Sequence, residues 1–75
     1  MNVAIIGYGK MGHEIERVLQ QRGHTVSLII DYNNTEALNA QSLKNIDVAI
    51  EFTTPDTAFN NITTCINAGV AVVSG

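Results

Sequence analysis

Residues 3–24 read VAIIGYGKMGHEIERVLQQRGH, and the junction inside that stretch decides the fold. Val3 to Ile6 is an unbroken apolar run, β-branched at Val3, Ile5 and Ile6. Such a run predicts a strand buried on both faces. Gly7, Gly9 and Gly12 follow, and then Met11, Ile15, Val18 and Leu19 recur at helical spacing. They form one apolar stripe, with His13, Glu14, Glu16, Arg17, Gln20 and Gln21 on the opposite face. Gly23 suits a left-handed helix stop.

Glycine is entropically unfavourable in an ordered chain, so three at one seam need a reason. In the spacing Gly7-x-Gly9-x-x-Gly12, the first allows a tight turn out of the strand. The second lets a pyrophosphate approach bare backbone, and the third lets the helix pack closely on the sheet. The helix mouth adds free N–H groups and partial positive charge. The motif follows a predicted strand and opens a predicted helix, the context that supports a dinucleotide site. A glycine-rich turn that binds no nucleotide stays open at this point. His13 after Gly12, in place of Lys-Ser or Lys-Thr, argues against a phosphate loop of the NTP-hydrolase type.

Working outward, Val26 to Ile30 is a second apolar run, interrupted by Ser27 and closed by Asp31. A carboxylate there can accept both ribose hydroxyls of an adenosine and would repel a 2′-phosphate, which predicts NADH over NADPH. Lys10 sits beside the turn, either pairing with a phosphate or simply exposed. Tyr32 to Asn45 is polar and Asn-rich, and Thr35 caps at most a short helix through Leu38. Asp47 to Thr53, DVAIEFT, reads as a third strand. Thr54 then stands as N-cap, with Pro55 at the first helical position and Asp56 in the positive first turn. Ala58, Ile62, Cys65 and Ile66 give the second helical stripe, Gly69 the stop, and Val70 to Val73 a fourth strand.

The order β-α-β, a loose connection, then β-α-β predicts an α/β fold. It is a Rossmann-like parallel sheet with right-handed crossovers and helices on both faces. Ligands of such sheets sit at the carboxyl ends of the strands. Phe52, Thr53 and Thr54 are therefore expected beside the glycine turn, at the nicotinamide end. Glu51 reads as a hydrogen-bonded structural acid and Cys65 as a small core hydrophobe. No catalytic residue and no metal ligand set emerges, and His13 and His24 are placed on a polar helix face and in a turn.

Composition narrows the class. The hydrophobic fraction of 45% is that of a globular chain and argues against disorder. The net charge of −3 and the scatter of Lys10, Arg17, Arg22 and Lys44 argue against nucleic acid. No apolar run approaches the roughly 20 residues of a membrane span, and the N-terminus carries no basic flank with an apolar signal core. One cysteine excludes an internal disulfide and fits a reducing cytoplasm. Ending on the apolar run GVAVVSG, the chain is expected to be the dinucleotide-binding domain, residues 1–75, of a longer two-domain protein.

Together, IIGYGKMGHEIERV, DVAIEFTTPDTAFNNI and AGVAVVSG make the chain resemble, over essentially its whole length, the amino-terminal half of the dihydrodipicolinate reductase family. The glycine turn alone is shared with many dehydrogenases. Its pairing with a later Glu/Asp-Phe-Thr-x-Pro and an Ala-Gly-Val-x-Val-Val strand is far more specific. The resemblance implies reduction of a cyclic dicarboxylate in lysine and diaminopimelate biosynthesis, with NADH or NADPH, by a cytoplasmic homotetramer. It implies a coenzyme site at Gly7, Tyr8, Gly9, Lys10, Met11 and Gly12 for the pyrophosphate and Asp31 for the adenosine ribose. Phe52, Thr53 and Thr54 take the nicotinamide side, and Gly75 is the first glycine of a Gly-Thr-Thr-Gly loop. The turn is one residue shorter than the commoner family form, and Tyr32 stands where the family has a basic residue. The family's histidine-rich catalytic motif with its lysine is not present, so these residues alone are expected to be inactive. The short stretch from Asp31 to Asp47 predicts loss of an edge strand and the strand order 2-1-3-4. Two rivals remain at this point. One is another GxGxMG reductase of the pyrroline-5-carboxylate reductase or prephenate dehydrogenase kind. The other is a non-catalytic NAD(H)-sensing module.

Overall fold

The computed structural model describes residues 1–75. Four strands, β1 (Asn2–Ile6), β2 (Thr25–Ile30), β3 (Val48–Glu51) and β4 (Ala71–Ser74), pair in parallel in the order β2-β1-β3-β4. Helix α1 (Lys10–Gln21) joins β1 to β2, and α2 (Pro55–Asn67) joins β3 to β4. The predicted order is found, and the connection from β2 to β3 holds only a single 3-10 turn, Thr35–Ala37, where larger sheets carry an edge strand. Asn34 caps that turn, not Thr35.

The chain leaves β1 for β2 in one direction and β3 for β4 in the other. Right-handed crossovers therefore place α1 and α2 on opposite faces. Strand alternation divides β1 accordingly. Ala4 and Ile6 pack with Cys65 of α2 and with Leu43 and Ile46 of the connection, while Val3 and Ile5 face the other way and are equally buried. Ser27 does more than interrupt the β2 run. Val3 pairs with Val26 and Ala4 with Leu28, so Ser27 is an extra residue bulged out of register.

The helix ends obey the punctuation in the sequence. Gly23 and Gly69 adopt φ of +86° and +78°, directly after the α1 and α2 C-caps. Thr54 is the N-cap of α2, but its hydroxyl makes no capping bond; its carbonyl instead accepts from the N–H groups of Thr57 and Ala58.

Two stripe positions and one stretch differ from the sequence reading. Met11 is 64% and Ile66 63% exposed. Each lies about 100° round the helix from the residue that touches the sheet, Gly12 in α1 and Cys65 in α2. The polar connection, by contrast, supplies Leu43 and Ile46 to the core. Leu43→Ala is therefore expected to destabilise the whole protein by about 3 kcal/mol. Ile66→Ala should stay within about 0.5 kcal/mol. Urea midpoints of the two variants check the contrast.

Candidate nucleotide-binding site

The carboxyl ends of all four strands meet at one edge of the molecule and are tied there by main-chain bonds. Gly7 N–H donates to the Ile30 carbonyl (2.8 Å), Phe52 N–H to Ile6 (3.1 Å) and Gly75 N–H to Glu51 (2.9 Å). Residues far apart in sequence are thereby brought to a single crevice.

The glycine turn at its centre is shaped by contacts that exclude side chains. Gly7 has φ +100°, a conformation that L side chains rarely adopt, and a Cβ there would lie 3.2 Å from the Phe52 carbonyl group. A Cβ on Gly12 would come within 2.7 Å of the Gly7 carbonyl oxygen. At Gly9 a Cβ would meet nothing within 4 Å: its bare face is turned to the cavity, not to the protein. The first intrahelical bond of α1 runs from His13 N–H to the Gly9 carbonyl (3.0 Å). The N–H groups of Lys10, Met11 and Gly12 precede it and are left to a ligand or to water. This turn fits a pyrophosphate, with open backbone at Gly9 and unpaired donors at the helix mouth.

Tyr8, between the glycines, is turned back onto the helix. Its hydroxyl donates to Glu16, its ring stacks on His13 with centroids 3.8 Å apart, and His13 Nδ1–H donates to the Gly9 carbonyl (2.8 Å). The Glu16 carboxylate that accepts this proton, aided by desolvation, holds the Tyr8 phenol above its usual pKa. This brace was not read from the sequence. Its signal is the spacing of His13 and Glu16, three apart on the α1 face that turns toward Tyr8.

Two cavities flank the turn, and Gly7 lines both. The first, about 490 Å³, lies between the end of β2 and the start of α2 and is lined by Asp31, Thr53 and Thr54. The second, about 440 Å³, lies over the turn and is lined by residues 8–12, Phe52 and Gly75. Between them they include every residue of the coenzyme site expected from the sequence. The stretch Phe52–Thr54, expected together at one end, is split. Phe52 faces the second cavity with Gly75, and Thr53 and Thr54 face the first with Asp31. The Gly7 turn, pressed against both Phe52 and Thr53, separates them.

Asp31 follows the last residue of β2 and is held in place by the Asn34 side chain. Its N–H donates to Asn34 Oδ1 (2.6 Å), and Asn34 Nδ2 donates to the Ile29 carbonyl (3.0 Å). One carboxylate oxygen accepts the Tyr32 N–H (2.8 Å), and the other is left for a ligand. Tyr32 is 84% exposed at the rim of the first cavity.

On the opposite wall the sequence reading missed Thr57 and Asn61. Thr57 and Asn61 lie at i and i+4 on one face of α2, and Thr53 sits four residues before Thr57 and just ahead of the helix; that spacing was the available signal. Thr53 and Asn61 bond directly to Glu51, which is fully buried, and Thr57 is linked to it through the Thr53 hydroxyl (2.7 Å). Its carboxylate accepts from the Thr53 hydroxyl, Thr53 N–H (3.0 Å), Asn61 Nδ2 (3.3 Å) and the Ser74 hydroxyl (3.3 Å). Burial alone would raise its pKa. The donors, Thr53 foremost, outweigh burial and hold it below the usual carboxylate range. Burial, together with the Glu51 charge, pushes the Cys65 thiol up. No three His, Cys, Asp or Glu side chains gather where they could hold a metal ion, and no helix is long and apolar enough to cross a membrane.

Comparison with known proteins agrees with this geometry. A family model described as dihydrodipicolinate reductase, N-terminus, matches residues 1–75. A 4-hydroxy-tetrahydrodipicolinate reductase from Christiangramia forsetii is 43% identical over 75 residues, all of this chain and 30% of the relative. One from Bifidobacterium longum subsp. infantis is 35% identical over 77 aligned residues, again the whole chain and 30% of the relative. One from Staphylococcus epidermidis is 31% identical over 65 residues, 79% of this chain and 27% of the relative. The chain thus spans about 30% of the length of the first two relatives. A match that runs from the first residue to the last, laid over a glycine turn whose packing explains its spacing, places the chain in the dihydrodipicolinate reductase N-terminal family.

Proposed function

We propose that this chain is the coenzyme-binding part of a 4-hydroxy-tetrahydrodipicolinate reductase that uses NAD(P)H and prefers NADH. The observation that carries the reading is the glycine turn. Gly9 opens to a cavity, three unpaired N–H groups stand at the helix mouth, and separate cavities lie on either side for the two nucleoside ends. In this arrangement residues 7–12 hold the pyrophosphate, Asp31 accepts the adenosine ribose hydroxyls, and Phe52 and Gly75 border the nicotinamide side. Bound NAD(P)H supplies the hydride. The chain's own residues bind and orient, and none of them is placed as a proton donor to substrate.

The substrate of this reading is a dicarboxylate, which needs a clamp of arginine or lysine. Of Lys10, Arg17, Arg22 and Lys44, only Lys10 lines either cavity. The clamp and the general acid are therefore assigned to the remainder of the whole protein, a cytoplasmic homotetramer on this reading, and residues 1–75 alone do not turn over. Preference for NADH follows from Asp31 and from Tyr32, which offers no charge to a 2′-phosphate. Titration calorimetry of the whole protein should give tighter binding of NADH than NADPH. Asp31→Ala should weaken NADH about 10-fold and narrow the difference, the loss of a charge-assisted hydrogen bond. Equal or NADPH-favouring affinity in the parent overturns the preference. Absence of reductase activity with 4-hydroxy-tetrahydrodipicolinate overturns the enzyme.

A further inference from the structure

A helix start is commonly fixed by the side chain of its N-cap, whose oxygen takes one of the free N–H groups. Helix α1 does without that device. Its N-cap is Gly9, no side-chain bond caps it, and no acid stands in its first turn. A capping oxygen or a carboxylate there would occupy the donors or repel an anion that approaches them. The start of α1 is held from the other side instead, through the carbonyl of Gly9. That oxygen accepts two bonds from one residue, from the His13 N–H (3.0 Å) and from the His13 ring at Nδ1 (2.8 Å). A carbonyl has no proton to give, so Nδ1 carries the hydrogen.

A trans peptide is planar, and its C=O and N–H point opposite ways. Pinning the Gly9 carbonyl toward the helix therefore aims the Lys10 N–H out of the helix mouth. Glycine leaves this peptide freer to rotate than any other residue would. Turned over, it would set a carbonyl oxygen where a phosphate oxygen belongs. The ring that prevents this is itself held. Tyr8 stacks on it with centroids 3.8 Å apart, and the Tyr8 hydroxyl donates to Glu16, three residues on from His13. His13 and Glu16 line neither cavity, so neither side chain touches what the turn receives.

We propose that His13 is a positioning residue for coenzyme binding: braced by Tyr8 and Glu16, it holds the Gly9–Lys10 peptide with its N–H toward the pyrophosphate, in place of the side-chain cap that a bare turn lacks. This rests on the coenzyme reading above and adds two residues that act on the coenzyme without touching it.

For the whole protein, long-range proton–nitrogen NMR of the free form should find the His13 ring protonated at Nδ1. Calorimetry should find His13→Ala about 5-fold weaker for NADH, the worth of one hydrogen bond. Its melting temperature should not fall, because the ring is exposed and alanine is the better helix former. His13→Asn should restore the affinity, since its amide nitrogen can stand where Nδ1 stands; a loss caused by imidazole charge would not be restored. Glu16→Ala should weaken NADH about 2-fold, although removing a negative charge would by itself favour an anion. Adding Tyr8→Phe to it should cost nothing more, because both remove the same bond. A ring protonated at Nε2 alone, an unchanged affinity in His13→Ala, a loss that His13→Asn leaves in place, or a melting temperature that falls with the affinity overturns the positioning role while coenzyme binding stands. An affinity that Glu16→Ala leaves unchanged or raises, or a further loss on adding Tyr8→Phe, overturns the brace. A parent that binds no NADH overturns the coenzyme reading itself.

Discussion

Gly12→Ala is expected to destabilise the whole protein by about 2–3 kcal/mol and to abolish most of its coenzyme affinity. The added methyl would sit 2.7 Å from the Gly7 carbonyl oxygen, well inside contact distance, so the fold is overpacked at that point. The clash is not relieved by a side-chain rotation, because the obstacle is main chain. Gly7 is itself held, by its N–H bond to Ile30 and by its close approach to Phe52. The helix must move off the sheet instead, and the three free N–H groups move with it. Gly9→Ala is the control. Its φ of −95° suits any residue and its Cβ meets no protein atom, so melting should be unchanged while the methyl intrudes on the pyrophosphate and affinity falls about 10-fold. Thermal melts and calorimetric titrations of both variants separate the two effects. A Gly12→Ala protein that melts with the parent would show that α1 does not approach the turn as closely as described.

Glu51→Ala is expected to be more damaging, at about 3–5 kcal/mol, a large part of the stability of a small domain. It removes the acceptor shared by Thr53, Asn61 and Ser74 and leaves their donors facing a void. No cation shares the site, since the chain's one ion pair, Arg17 with Glu14, lies on α1. The carboxylate is stabilised by neutral donors alone. Its pKa is depressed in the folded state, so its contribution is fully present above the unfolded value. It is lost as pH falls through the folded one. Far-UV circular dichroism of the whole protein against pH should therefore show an acid transition. Glu51→Gln should flatten it, because glutamine keeps the shape and does not titrate there. An acid transition identical in the two proteins would remove Glu51 as its source.

Much of this was legible because it is local. A β-branched run, a glycine where φ must be positive and a proline at the first helical position act within a few residues. Val3–Ile6, Gly23, Gly69 and Pro55 were therefore readable one by one. The glycine spacing carried the site for the same reason. What escaped depends on a distant partner. Leu43 and Ile46 lie in a polar stretch without periodicity and are core residues only because the connection folds under the sheet. The split of Phe52 from Thr53 and Thr54 depends on where the Gly7 turn is pressed. The hydrogen bonds of Asn61, and of Thr57 through Thr53, lead back to a carboxylate ten and six positions earlier, on another element.

Because each strand ladder runs out at the crevice in one last main-chain bond, at Gly7, Phe52 and Gly75, whatever lies over these ends acts as a clasp. On the proposed reading a bound dinucleotide would lie across all four strand ends, so unfolding that separates them requires its release. At a free concentration of about 100 times Kd that linkage amounts to about 2.7 kcal/mol. In a cell rich in reduced coenzyme, this part of the protein would resist proteolysis in proportion to its own occupancy.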